Sequence, residues 1–128
     1  MLNILRTYKW TLVYLPLITI WGVVFFFTSL PGNKVPNLSI SDKLEHFIAF
    51  GFIGGLLYLT FLIQNKIKLV KKYTFVSTFV TISLYAALDE IHQLFIPRRS
   101  CDIIDWLFDL AGAISVILLV KLVIHYWN

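Results

Sequence analysis

Charged residues are scarce in this chain. Asp, Glu, Lys and Arg make up 14% of its 128 residues, whereas a soluble domain carries about 25%. With 59% hydrophobic residues, the composition excludes an ordinary water-soluble domain and points to a membrane class. Cysteine is nearly missing as well. Cys101 stands alone, so no internal disulfide can form and the thiol says nothing about redox compartment. No serine sits in a G-x-S-x-G turn and no H-E-x-x-H pair occurs, so the common hydrolase and zinc-protease signatures are absent. Acidic residues, finally, are lacking from one whole end of the chain's layout.

What is present is four long apolar runs, at residues 11–30, 44–63, 73–96 and 103–127. Each is long enough to cross a hydrocarbon core of about 30 Å as a helix. Arg6 and Lys9 ahead of the first run resemble a signal peptide's basic region. The run is too long for that, however, and "FTSLPG" offers no small-x-small cleavage pattern, so a retained span is expected, bent near Pro16. The second run carries Gly51 and Gly55 at G-x-x-x-G spacing beside Gly54, which predicts a face that a neighbouring helix can approach closely. Short connections, "NKIKLVKK" and "PRRSCD" among them, suit antiparallel neighbours. The expected architecture is an all-α integral membrane bundle of four transmembrane helices, with residues 1–128 as a single domain. Trp10, Trp21, Trp127 and Tyr8 read as interfacial or lipid-facing residues, and "KIKLVKK" as an anchor for anionic lipid.

The loops set an orientation. Arg6, Lys9, Lys66, Lys68, Lys71, Lys72 and Lys121 fall at one end of such a bundle, and Lys34, Lys43, Arg98 and Arg99 at the other. By the positive-inside rule both termini face the cytoplasm of a multi-pass cell-membrane protein. Basic residues lying mainly in the short segments between apolar runs suit lipid headgroups; no nucleic acid partner is expected. The acids are more polarised still. Asp42, Glu45, Asp89, Glu90, Asp102, Asp105 and Asp109 are all seven carboxylates of the chain, and every one falls at the end away from the lysine-rich loop. His46 and His92 join them; His125 does not.

Charges inside a span are costly, roughly 2.5–3.5 kcal/mol each on the lenient insertion scale, so they should face one another or a watered cavity. At 100° per residue, Asp89, His92 and Gln93 share a face of the third helix, with Tyr85 and Thr78 below. With that helix running to Ile96, Asp89 would lie about 10 Å inside the span. Asp102, Asp105 and Asp109 form a stripe on the fourth helix, and Asp42, Glu45 and His46 another at the mouth of the second, away from its Gly51/Gly55 face. The candidate ligand-binding set is Asp42, Lys43, His46, Asp89, Glu90, His92, Gln93, Arg99, Asp102, Asp105 and Asp109, gathered in one extracytoplasmic pocket with Arg98 and Arg99 as counter-charges.

Two segments carry a family resemblance. "SDKLEHFIAFGF" places Asp42, Lys43, His46 and Phe50 in a D-K-x-x-H-x-x-x-F pattern. "LDEIHQLFIPRRSCDIIDWLFDLAGA" places Asp89, Glu90, Gln93, Phe95, Pro97, Arg99, Asp102, Asp105, Asp109 and Gly112 in a second, longer one. Both resemble the signature of the VanZ-like membrane proteins, in which Asn often stands where this chain has Asp109. The resemblance implies a four-helix membrane domain linked to low-level resistance to glycopeptide antibiotics, teicoplanin in particular, and brings no settled activity.

The expected function is recognition of a cell-wall precursor or other lipid-linked envelope molecule. Its head would be polar or amine-bearing. The alternative is a small membrane hydrolase or transferase acting on such a molecule, with His46 or His92 as general base and Arg99 holding a phosphate. A third reading makes the cluster a salt-bridge network that only sets helix register. No cofactor is named, and no metal-binding residue is assigned, because the two histidines lie on different helices. A weak oxygen-rich magnesium or calcium site stays open. A transporter is disfavoured, since the chain shows neither repeats nor broken helices. Ligand identity and oligomeric state are left undetermined.

Overall fold

The computed structural model describes residues 1–36 and 40–127. Four stretches are long and apolar enough to span a membrane: Trp10–Thr28, Asp42–Ile63, Thr74–Gln93 and Ile103–Trp127. The first combines a π-helical turn, Trp10–Tyr14, with helix α2, Leu15–Thr28, after a short α1, Leu2–Thr7. The others are α3 (Asp42–Ile63), α5 (Thr74–Gln93) and α6 (Ile103–Trp127), with the short α4 (Lys68–Lys72) between α3 and α5. Among the described residues there is no strand. The all-α membrane bundle expected from the apolar runs is the fold.

The ends of the elements follow local chemistry. Helix α3 begins two residues earlier than the apolar run, because the Ser41 hydroxyl accepts the Leu44 N–H as an N-cap. Helix α5 stops at Gln93, three residues short of the expected Ile96, and the chain leaves it through successive turns at Leu94, Phe95 and Ile96. Asp89 therefore lies about 6 Å from the helix end rather than 10 Å. Just before Pro16 the chain makes a π turn, closed by the Leu15 N–H on the Trp10 carbonyl. Proline lacks the N–H that a regular α-helix would use there.

Helix α3 is the hub, packing on α6, α5 and α2, with its most extensive interface against α6. Gly54 makes that approach possible: a Cβ there would lie 2.7 Å from the Ala113 Cβ. On the opposing helix a Cβ at Gly112 would run into the carbonyl of Phe47. Small-residue contacts of this kind let backbones meet where lipid supplies no hydrophobic drive for association. Phe50, Ile53, Leu57, Ile82, Ala86, Leu110 and Ala113 fill the core. Leu84, Leu88, Leu118, Leu119 and Leu122 point outward, as on helices solvated by lipid. Helix α2 rests on α3 and only lightly on α5.

Candidate functional site

The acidic end of the bundle is tied together by loops before any side chain of the cluster is considered. Gly32, after α2, donates its N–H to the Pro97 carbonyl at 3.0 Å. A Cβ at Gly32 would strike the Arg98 carbonyl, and Arg98 itself holds a positive φ of 61°. This close crossing of the α2–α3 and α5–α6 connections aims Arg99 back at α2. Its Nη2 donates to the Phe27 carbonyl at 2.9 Å, which also accepts the Leu30 N–H, and its Nε donates to the Leu30 carbonyl at 3.4 Å just past the end of α2.

Three polar groupings lie beneath. In the first, Asp89 accepts from the Thr28 hydroxyl at 2.8 Å and from Gln93 Nε2 at 3.3 Å, which gives each of its carboxylate oxygens a partner. In the second, Lys43 sits 3.3 Å from Asp105 and 3.6 Å from Asp102. Asp102 also caps α6, its Oδ1 accepting the Ile104 N–H at 2.8 Å, while its own N–H donates to Glu90 Oε2 at 2.9 Å. The third is the most buried. His46 Nδ1 lies 2.8 Å from Asp109 Oδ1, with the Asp109 side chain fully enclosed. Glu90 Oε1 and Asp109 Oδ2 are buried and have no hydrogen-bond partner among the described residues.

Among the described residues, two sets of side chains bring metal-ligating atoms within 4.8 Å of one another: Asp42, His46 and Asp105, and His46, Glu90 and Asp109. His46 belongs to both. Although the helical wheel separates it from Gly51 and Gly55, it still reaches α6, the helix those glycines contact.

Two adjoining cavities open at this end. One, of about 350 Å³, runs along α2 and α3 between Ile20, Val24, Phe27, Ala49 and Phe52, and reaches Asp42, Glu45, His46 and Arg99 at its end. The other, of about 330 Å³, is polar and bordered by Gln93, Arg98, Arg99, Ser100 and Asp105. They share Val35, Pro36, Asp42, Glu45 and Arg99.

Of the residues singled out from sequence, Asp42, His46, Gln93, Arg99 and Asp105 therefore border a cavity. Lys43, Asp89, Glu90, Asp102 and Asp109 border neither cavity and are held in the three polar groupings. His92 parts company with Asp89: it meets Ser29 Oγ at 3.0 Å and stacks on Phe25 at 5.3 Å, on the α2 side. Sequence reading missed α2 altogether as a contributor. The signal was available, since Thr28 and Ser29 are adjacent hydroxyls closing an apolar run at the acidic end. Glu45, counted among the acids but not among the binding residues, borders both cavities.

Comparison with curated proteins finds no match, and neither does comparison with solved structures. The family model described as VanZ/LLP1 matches residues 7–124. With four helices among the described residues long and apolar enough to cross a membrane, and nearly its whole length covered by that match, this chain belongs to the VanZ/LLP1 family.

Proposed function

We propose that this VanZ-family membrane protein recognises an amphiphile of the cell envelope, a lipid-linked molecule such as a cell-wall precursor. The observation that carries the reading is the pair of joined cavities. An apolar groove between α2 and α3 ends on Asp42, Glu45 and Arg99, the same residues that border the polar cavity beyond. A groove lined by Ile20, Val24, Ala49 and Phe52 takes an acyl or prenyl chain. The polar cavity takes the head. Asp42 and Glu45 suit an amine, and Arg99, with donors beyond the two spent on carbonyls, suits a phosphate. Binding sites of this kind are apolar with a few placed polar groups.

In this reading both termini face the cytoplasm and the polar cavity faces outward, toward envelope substrates. Altered susceptibility to glycopeptide antibiotics would follow from holding a precursor at the outer surface.

The test uses purified protein in nanodiscs and a lipid-linked peptidoglycan precursor, measured against its water-soluble headgroup. The intact amphiphile should bind at least tenfold more tightly. Ala49→Trp, which fills the groove, and Arg99→Gln, which removes the guanidinium, should each weaken it by a similar factor. Equal binding of headgroup and amphiphile, or no effect of Ala49→Trp, would remove the groove from the site.

A further inference from the structure

We propose that His46, Glu90 and Asp109 form a buried site for a divalent transition-metal ion of the zinc class. The three residues come from α3, α5 and α6, and each offers a ligand atom within 4.8 Å of the other two. Bound zinc holds nitrogen and oxygen ligands at about 2.0–2.2 Å. Small side-chain rotations therefore close this set on one ion.

The second observation is what the two carboxylates leave undone. Glu90 is 3% exposed and Asp109 0%, yet each keeps one oxygen without a hydrogen-bond partner. The other oxygen of Glu90 is held by the Asp102 N–H, and that of Asp109 lies 2.8 Å from His46 Nδ1, a separation that two ligand atoms of one ion can share. A carboxylate anchored through one oxygen, with the other bare in a low-dielectric interior, is arranged as a metal ligand is. As a purely structural feature it would cost stability.

Charge points the same way. Among the described residues, lysine and arginine pair only with Asp102 and Asp105, leaving Asp89, Glu90 and Asp109 with no cationic partner except the His46 imidazole. A dication supplies the missing positive charge. The imidazole nitrogen favours zinc-class ions over calcium or magnesium, which prefer all-oxygen sets. The outer set of Asp42, His46 and Asp105 is the weaker candidate, because Asp42 is exposed and Lys43 already occupies Asp105. The metal site does not depend on the amphiphile reading, and the metal alone is the probe.

Protein stripped with chelator and held in detergent should take up one Zn2+ per chain by equilibrium dialysis, with a higher melting midpoint in Zn2+ than in chelator. Glu90→Gln and Asp109→Asn should weaken uptake at least 100-fold while helix content is kept. His125→Asn, at the other end of the bundle, should leave it unchanged. Mg2+ and Ca2+ at the same concentration should not compete. Wild-type protein that binds less than one Zn2+ and shows no shift in melting would overturn the proposal. So would uptake that survives Glu90→Gln, or that Asp105→Asn abolishes and Glu90→Gln does not. If neither core variant folds, the wild-type stoichiometry, the melting shift and the Mg2+/Ca2+ competition decide alone.

Discussion

A methyl group added at Gly112 would meet the backbone carbonyl of Phe47 on the facing helix. Neither partner can rotate out of the way, so α3 and α6 would have to separate. Gly112→Ala should therefore destabilise the bundle by about 1–3 kcal/mol, the usual cost of overpacking, seen as a lower unfolding midpoint in detergent. Gly22→Ala is the matched comparison: a Cβ there has nothing within 4 Å. It should be neutral or stabilising by up to about 1 kcal/mol, since alanine is the better helix former. Similar loss in both variants would mean that the α3–α6 contact does not set the cost at Gly112. Asp89 belongs to this scale too. Thr28 and Gln93 satisfy both of its oxygens, so its contacts anchor α2 to α5, and it stands apart from the unpartnered oxygens of Glu90 and Asp109.

Among the elements, α6 starts at Ile103, just after Asp102, for a reason separate from ion pairing. The Asp102 carboxylate caps the helix through Ile104 N–H and also lies 3.6 Å from Lys43. The two roles can be separated by substitution. Asp102→Asn keeps the cap and loses only a pair whose side chains are 40% and 37% exposed, worth at most about 1 kcal/mol. Asp102→Ala loses both and should cost about 0.5–2 kcal/mol from the cap alone. Unfolding midpoints of the two variants should differ in that order; equal loss would mean that the ion pair, and not the cap, holds the start of α6. The N-caps at Ser41 and Asp102 fix where α3 and α6 begin, and the packing of the two helices brings Lys43 onto Asp105. Helix α2 joins the site through packing on α3, through Thr28 on Asp89, and through loop contacts from Arg99 and Gly32.

For the whole molecule, orientation is the outstanding expectation. Cys101 is exposed in the turn before α6, at the acidic end. In intact cells it should react with a membrane-impermeant thiol reagent, while Cys101→Ser carrying Lys68→Cys should stay unlabelled until the membrane is opened. The opposite pattern would turn the polar cavity toward the cytoplasm and end the envelope-ligand reading.

Much of this architecture is local information. Span length, helix type and the gathering of all seven carboxylates at one end follow from apolar run length and from where turns interrupt the chain. Those properties act through neighbours a few residues apart, and the VanZ/LLP1 membership rests on the same linear pattern. The partners of each charge were a different matter. That His46 meets Asp109, Glu90 caps back onto Asp102, Thr28 answers Asp89, and His92 turns away to Ser29 depends on how far each helix is rotated and how closely α3 lies on α6. A set such as His46, Glu90 and Asp109, with one residue on each of three helices, has no linear spacing to mark it. Only the packed bundle decides such pairings, because rotation and separation are set by side chains on every helix at once.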